Sequence, residues 1–93
     1  MASVEVSRDA GELIAKLASQ GILEVASHYD GGTFGNYHVE FAGPSGKFSI
    51  TRDRCQYLLG GDLGRLRSLG LMRAFGSLAE LEVAVTAYVS VAV

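Results

Sequence analysis

Six cationic side chains crowd the middle of the chain, and they carry its plainest binding chemistry. Lys47, Arg52, Arg54, Arg65, Arg67 and Arg73 stand against only Asp53 and Asp62 in residues 47–73. That gives a local balance of +4, while the remainder carries −6 and the whole chain −2. A guanidinium matches carboxylates and phosphates through paired hydrogen bonds. Arg52 and Arg54 flank a tight turn that would project them together beside Tyr57. Such a cluster suits an acidic protein surface or a nucleic acid, although ordinary solvated faces produce the same asymmetry. Nucleic acid is the weaker reading. The aromatics available to stack bases, Tyr29, Phe34, Tyr37 and Tyr57, are mostly needed for a core, and the net charge is negative.

Catalytic signatures are missing. The segment GPSGKFS at 43–49 has the Gly-Lys pair of a phosphate-binding loop, but Phe41 stands where that pattern requires glycine and Phe48 where it requires Ser or Thr. It reads instead as a hairpin turn. His28 and His38 lie on the polar sides of their strands and become neighbours if those strands pair. Without a carboxylate at fixed spacing they make a poor metal site. An enzyme reading requires His28, His38 and Asp30 to share one concave pocket. Cys55 is expected as a small buried hydrophobe in strand register, with Arg52 and Arg54 leaving a reactive thiol open. No cofactor, no metal and no enzymatic activity are expected. The candidate partner-binding residues are Arg52, Arg54, Arg65, Arg67 and Tyr57, with Asp30 and Phe34 from the glycine-rich loop after the second element. The competing nucleic-acid reading would use Arg52, Arg54, Arg65, Arg67 and Arg73.

Glycine and the apolar residues other than Tyr make up about 57% of the 93 residues, against roughly 45–50% for an average soluble domain. A single small domain has little interior to hide that excess, so apolar surface is expected to be shared with a second copy or with a partner. One cysteine excludes an internal disulfide. The N-terminus has no apolar core of a secretory leader. The longest uncharged run, Val83 to Val93, is too short to cross a bilayer as a helix. These features suggest a cytoplasmic protein with no membrane partner.

The elements that must position these groups centre on residues 35–59. Tyr37, Val39 and Phe41, then Phe48 and Ile50, then Cys55, Tyr57 and Leu59 alternate with polar residues, the period of strands buried on one face. With Pro44 and Ser45 at the tip, Phe41 faces Phe48, Val39 faces Ile50 and His38 faces Thr51. A second pivot at Asp53-Arg54 would set Ile50 against Tyr57 and Phe48 against Leu59. Upstream, Ser3–Val6 reads as a short edge strand and Asp9 with Glu12 as a capping box. A helix then runs from about Ala10 to Gln20, closed by Gly21. Ile22–Tyr29 reads as a strand with Leu23, Val25 and Tyr29 inward. Downstream, Asp62 caps a short helix carrying Leu63, Leu66 and Leu69. Residues 71–75 are ambiguous. Ser77 and Glu80 suggest a cap for a last helix with Leu78, Leu81, Val85, Tyr88, Val89 and Ala92 on one face. The strict alternation of valines over 83–93 supports a strand instead. The helix is preferred for its cap and its alanines. The expected fold is α+β: an N-terminal helix, an antiparallel meander of about four strands, and one or two C-terminal helices packed on one face of the sheet.

Around Arg52, Asp53, Arg54, Gln56 and Tyr57, preceded by GNYHVEF, the meander resembles that of small bacterial proteins of the polymorphic-toxin immunity type. In these a strand ends in an Arg-Asp-Arg-x-Gln turn and the next begins with an aromatic residue. Cys55 stands where glycine is expected. The resemblance covers about a quarter of the chain. It implies a single-domain cytoplasmic inhibitor that binds one toxin or effector, covers its active site and performs no chemistry.

Overall fold

A computed structural model of the chain describes residues 4–30, 36–44 and 46–90. Its sheet is a four-stranded antiparallel meander in the order β1 (Leu23–Asp30), β2 (Asn36–Gly43), β3 (Gly46–Asp53), β4 (Gln56–Gly60). Helix α1 (Val4–Ser19) precedes it, and α2 (Leu63–Ser68) and α3 (Leu78–Ser90) follow. The α+β architecture is therefore the one expected. Phe41 pairs with Phe48, Val39 with Ile50 and His38 with Thr51, also as expected. The two phenylalanine rings stack with centroids 5.2 Å apart. The register is fixed because a slip of one residue would turn this whole apolar row to water.

The β3–β4 pairing corrects the sequence reading. Ile50 pairs with Leu59 and Arg52 with Tyr57, and the turn sits at Arg54-Cys55 rather than Asp53-Arg54. Both turn residues have positive φ, 53° and 65°. Two such residues in a two-residue hairpin form the turn whose twist matches right-twisted strands. Asp53 stays in the ladder opposite Gln56, and a shift of two residues in register leaves the inward set unchanged. Cys55 is thereby moved from the expected core position to an exposed turn. Left-handed backbone costs a residue with a Cβ about 1 kcal/mol that glycine and asparagine largely avoid. Arg54→Asn with Cys55→Gly is therefore expected to raise unfolding stability by about 1 kcal/mol. A urea midpoint unchanged or lowered by the pair would refute this reading of the turn.

Helix α1 corrects a second expectation. Among the described residues it runs from Val4, so Val4–Val6 of the segment read as an edge strand are helical, and Asp9 lies inside the helix instead of capping it. Val6, Ala10, Leu13 and Leu17 are buried at helical spacing, one stripe that carries the helix upstream. The helix ends as expected at Gly21, φ +80°. On β1 the inward set also differs from the expectation. Ile22 is buried, whereas Leu23 and Val25 are 57% and 58% exposed. A bulge between Glu24 and Ala26 adds one residue to β1 and reverses parity on its two sides. Tyr29 pairs with Tyr37 and packs against the core, as read.

The last segment, read as a helix in preference to a strand, is a helix over Leu78–Ser90. Leu81, Ala84, Val85 and Tyr88 are buried on one face of α3, and Val83 is left exposed. The expected position of Ala92 lies outside the described residues. Ser77 Oγ accepts from the Glu80 N–H at 3.2 Å, and the Glu80 carboxylate accepts from the Gly76 N–H at 2.8 Å. Asp62 caps α2, accepting from the Arg65 N–H at 2.8 Å; Leu66 is buried there, but Leu63 is exposed. After α2 the chain returns along β4, where Phe75 and Tyr57 exchange backbone hydrogen bonds of 2.8 and 2.7 Å. The buried residues of the helices and of β2, β3 and β4 form one core, which Ile22, Leu71 and Phe75 join. No helix among the described residues is long and apolar enough to cross a membrane.

Candidate interaction surface

Among the described residues, the helices cover one face of the sheet and leave the other bare. Pairing aligns His28, His38, Thr51 and Leu58 in one outward row, and Ala26, Glu40, Ser49 and Gly60 in the next. These residues are exposed or half-buried, while every buried strand residue points the other way. Leu58, outward on β4, is 39% exposed. Among the described residues, the β1 edge carries Leu23 and Val25 and pairs with β2 alone, whereas β4 is partly closed by Phe75. His38 stands between two open depressions on this face. One of about 200 Å³ is lined by His28, Asn36, Tyr37, His38, Thr51, Arg52 and Asp53. The other, of about 310 Å³, is lined by His38, Glu40, Lys47, Phe48, Ser49, Gly60 and Gly61.

The two histidines expected as neighbours are direct partners across the β1–β2 ladder. His38 Nδ1 lies 2.7 Å from Thr51 Oγ1, and its Nε2 lies 3.7 Å from Glu40 Oε2. Among the described residues no three His, Cys, Asp or Glu side chains gather as a metal cage. Asp30 ends β1 opposite Asn36; its side chain and all of Phe34 lie outside what is described.

The arginines do not form one patch. Arg52 and Tyr57 belong to an inward cluster that sequence reasoning missed. There Asp9 Oδ2 accepts hydrogen bonds from the hydroxyls of Tyr37 (2.6 Å) and Tyr57 (2.9 Å), with Arg52 Nε 4.0 Å away. Arg52 also donates to Cys55 Sγ at 3.7 Å. Burial, then the Asp9 carboxylate, pushes the Tyr57 hydroxyl up to about 12 and that of Tyr37 still higher. Burial opposes the charge on Arg52, but Asp9 and the two phenols outweigh it and raise its proton affinity. Through the two hydrogen bonds that Asp9 accepts from β2 and β4, this cluster ties α1 to the sheet as a structural clasp. Arg54 is exposed in the turn, its N–H donating to Asn36 Oδ1 at 2.9 Å. Arg65 lies 4.7 Å over the Tyr88 ring, near the other end of β4, and Arg73 lies 4.4 Å over Phe75. Arg67 is exposed on α2. The turn arginines expected to project together are thus separated: Arg54 faces solvent and Arg52 turns inward to Asp9.

Compared with protein-family models, with curated proteins and with solved structures, the chain matches none.

Proposed function

We propose that the chain is a non-catalytic protein-binding module of the immunity type, which inhibits a bacterial toxin or effector by covering its working surface. The observation that carries the binding reading is the bare face of the sheet, with exposed Leu23 and Val25 on its free edge and Leu58 on β4. Apolar side chains held at a hydrogen-bonded sheet surface supply contact area at little ordering cost. An open edge offers backbone groups to a partner strand. The toxin as partner rests on the resemblance at Arg52, Asp53, Arg54, Gln56 and Tyr57. A nucleic-acid reading draws less support, because Arg65 and Arg73 are spread over Tyr88 and Phe75 rings and Arg52 sits beside Asp9.

Co-expression with the product of the neighbouring reading frame provides the test. The chain is expected to relieve that product's toxicity and to form one saturable complex. Val25→Asp with Leu58→Lys should weaken the complex at least tenfold, about 1.4 kcal/mol or more, with the fold intact by circular dichroism. Arg54→Ala should change it far less. Affinity untouched by the Val25 and Leu58 pair would remove the sheet face from consideration. Steeply salt-dependent binding to many nucleic acids would instead favour the alternative.

A further inference from the structure

The bare face carries a second chemistry that neither the core nor the proposed docking requires. His28 and His38 are the only histidines in the sequence, and the fold sets them directly opposite one another on adjacent strands. Directly opposed residues place their Cβ atoms about 4.5–5.5 Å apart on one face, within reach of a single bound ion for two imidazoles. From this juxtaposition the geometry points to a surface site for a divalent transition ion, bridging His28 on β1 and His38 on β2, with Glu40 as a third ligand.

Two details of the His38 environment support it. The hydroxyl of Thr51, 2.7 Å from Nδ1, orients the ring and leaves Nε2 on the Glu40 side. A hydrogen bond at the other ring nitrogen is the usual device for aiming a ligating imidazole. Glu40 Oε2 lies 3.7 Å from Nε2. Two donors each about 2.1 Å from one tetrahedral ion are about 3.4 Å apart, so the existing spacing is a few tenths of an ångström too wide. A small rotation of the exposed Glu40 side chain closes that gap. Among the described residues no third ligand is already in place, so the site completes itself with Glu40 and water and binds more weakly than a structural zinc site. Imidazole donors select Cu²⁺, Ni²⁺ and Zn²⁺ over Mg²⁺ and Ca²⁺. Because β1 is the edge strand, an ion held this way also pins that edge to β2.

The experiment is calorimetric titration of the untagged, chelator-treated full chain with NiCl₂, ZnCl₂ and CuCl₂. One ion per chain is expected, with Cu²⁺ tightest, and no heat from MgCl₂ or CaCl₂. His28→Ala and His38→Ala should each weaken binding at least about tenfold, and Glu40→Gln several-fold. Cys55→Ser should leave it unchanged. His28 is exposed on the edge strand, so its replacement tests the site without touching the core. Cu²⁺ should also broaden the amide signals of His28, His38 and Thr51 first. Failure to saturate below about 1 mM, binding that survives His28→Ala, or binding lost with Cys55→Ser would each overturn the assignment.

Discussion

Asp9→Ala is expected to cost about 3 kcal/mol of stability, a large share of what a chain this size commonly has. Two phenol hydroxyls converge on one carboxylate oxygen, and both rings are buried, Tyr37 at 3% and Tyr57 at 7% exposure. Removing the acceptor leaves two donors without partners, and each buried donor left unmade costs about 1–3 kcal/mol. The Asp9 side chain is 29% exposed, so water partly replaces it and the sum falls in the lower half of that range. Arg52 also loses the Asp9 carboxylate 4.0 Å from its Nε. Asp9→Asn should cost clearly less, since an amide oxygen still accepts. Adding Tyr37→Phe and Tyr57→Phe to Asp9→Ala should recover part of the loss, because the orphaned hydroxyls are then gone as well. A triple variant no more stable than Asp9→Ala would sink this account.

The same clasp sets an alkaline limit. Burial and the neighbouring carboxylate hold Tyr57 at about 12 and Tyr37 above it, whereas an unfolded tyrosine ionises near 10. Raised folded values mean that the stabilisation is complete below about pH 10. It drains as pH climbs, because the unfolded chain gives up its phenol protons first. Screened by the solvent that still reaches its hydroxyl, Tyr57 accounts for a loss on the order of 1–2 kcal/mol by pH 12. Urea unfolding at pH 9 and pH 11.5 measures it, and Tyr57→Phe should flatten the difference. Equal stability at the two pH values would show that these hydroxyls are not held as described.

The clasp also marks where sequence reasoning reached its limit. A hairpin's register follows from its own alternation and turn residues, so Phe41 opposite Phe48 was legible at once. Asp9 was misread because Asp followed by Glu three residues later is a sound local signal for a helix start. The competing signal was the apolar stripe of Val6, Ala10, Leu13 and Leu17, which carries the helix past Asp9. With the helix extended, a carboxylate falls on the buried side, and Tyr37 and Tyr57 face inward with polar tips that need a partner. Those facts together could have found the cluster. The bulge in β1 gave no comparable warning. It is set by how β1 meets β2, and its effect was to expose Leu23 and Val25, which alternation alone assigns to the core. The arginines illustrate the same gap between neighbours in sequence and in space. Arg52 and Arg54 are two residues apart, yet one turns to Asp9 and the other to solvent.

Gly61→Ala carries an expected penalty of about 3 kcal/mol, although in sequence Gly60-Gly61 looks like a simple break between a strand and a helix. A Cβ at residue 61 would lie 2.4 Å from the Tyr88 hydroxyl oxygen, 2.9 Å from its Cζ and 3.3 Å from Phe48 Cβ. Tyr88 has no easy retreat. It is 2% exposed, its ring packs 5.6 Å from that of Phe48, and Arg65 lies over it. Its hydroxyl also accepts from the Asp62 N–H at 2.9 Å, which fixes the chain just where α2 begins. The new methyl must therefore displace either the ring, opening the core between β3 and α3, or the backbone, breaking the Asp62 contact. Overpacking of this kind costs about 1–3 kcal/mol, and loss of the hydrogen bond adds about 1. Tyr88→Phe tests the mechanism, since it removes the atom nearest the intruding methyl. The double variant should be less destabilised than the sum of the two single changes by about 1 kcal/mol, the mark of residues in contact. Strict additivity in urea unfolding would show that the Tyr88 hydroxyl is not what the new methyl meets.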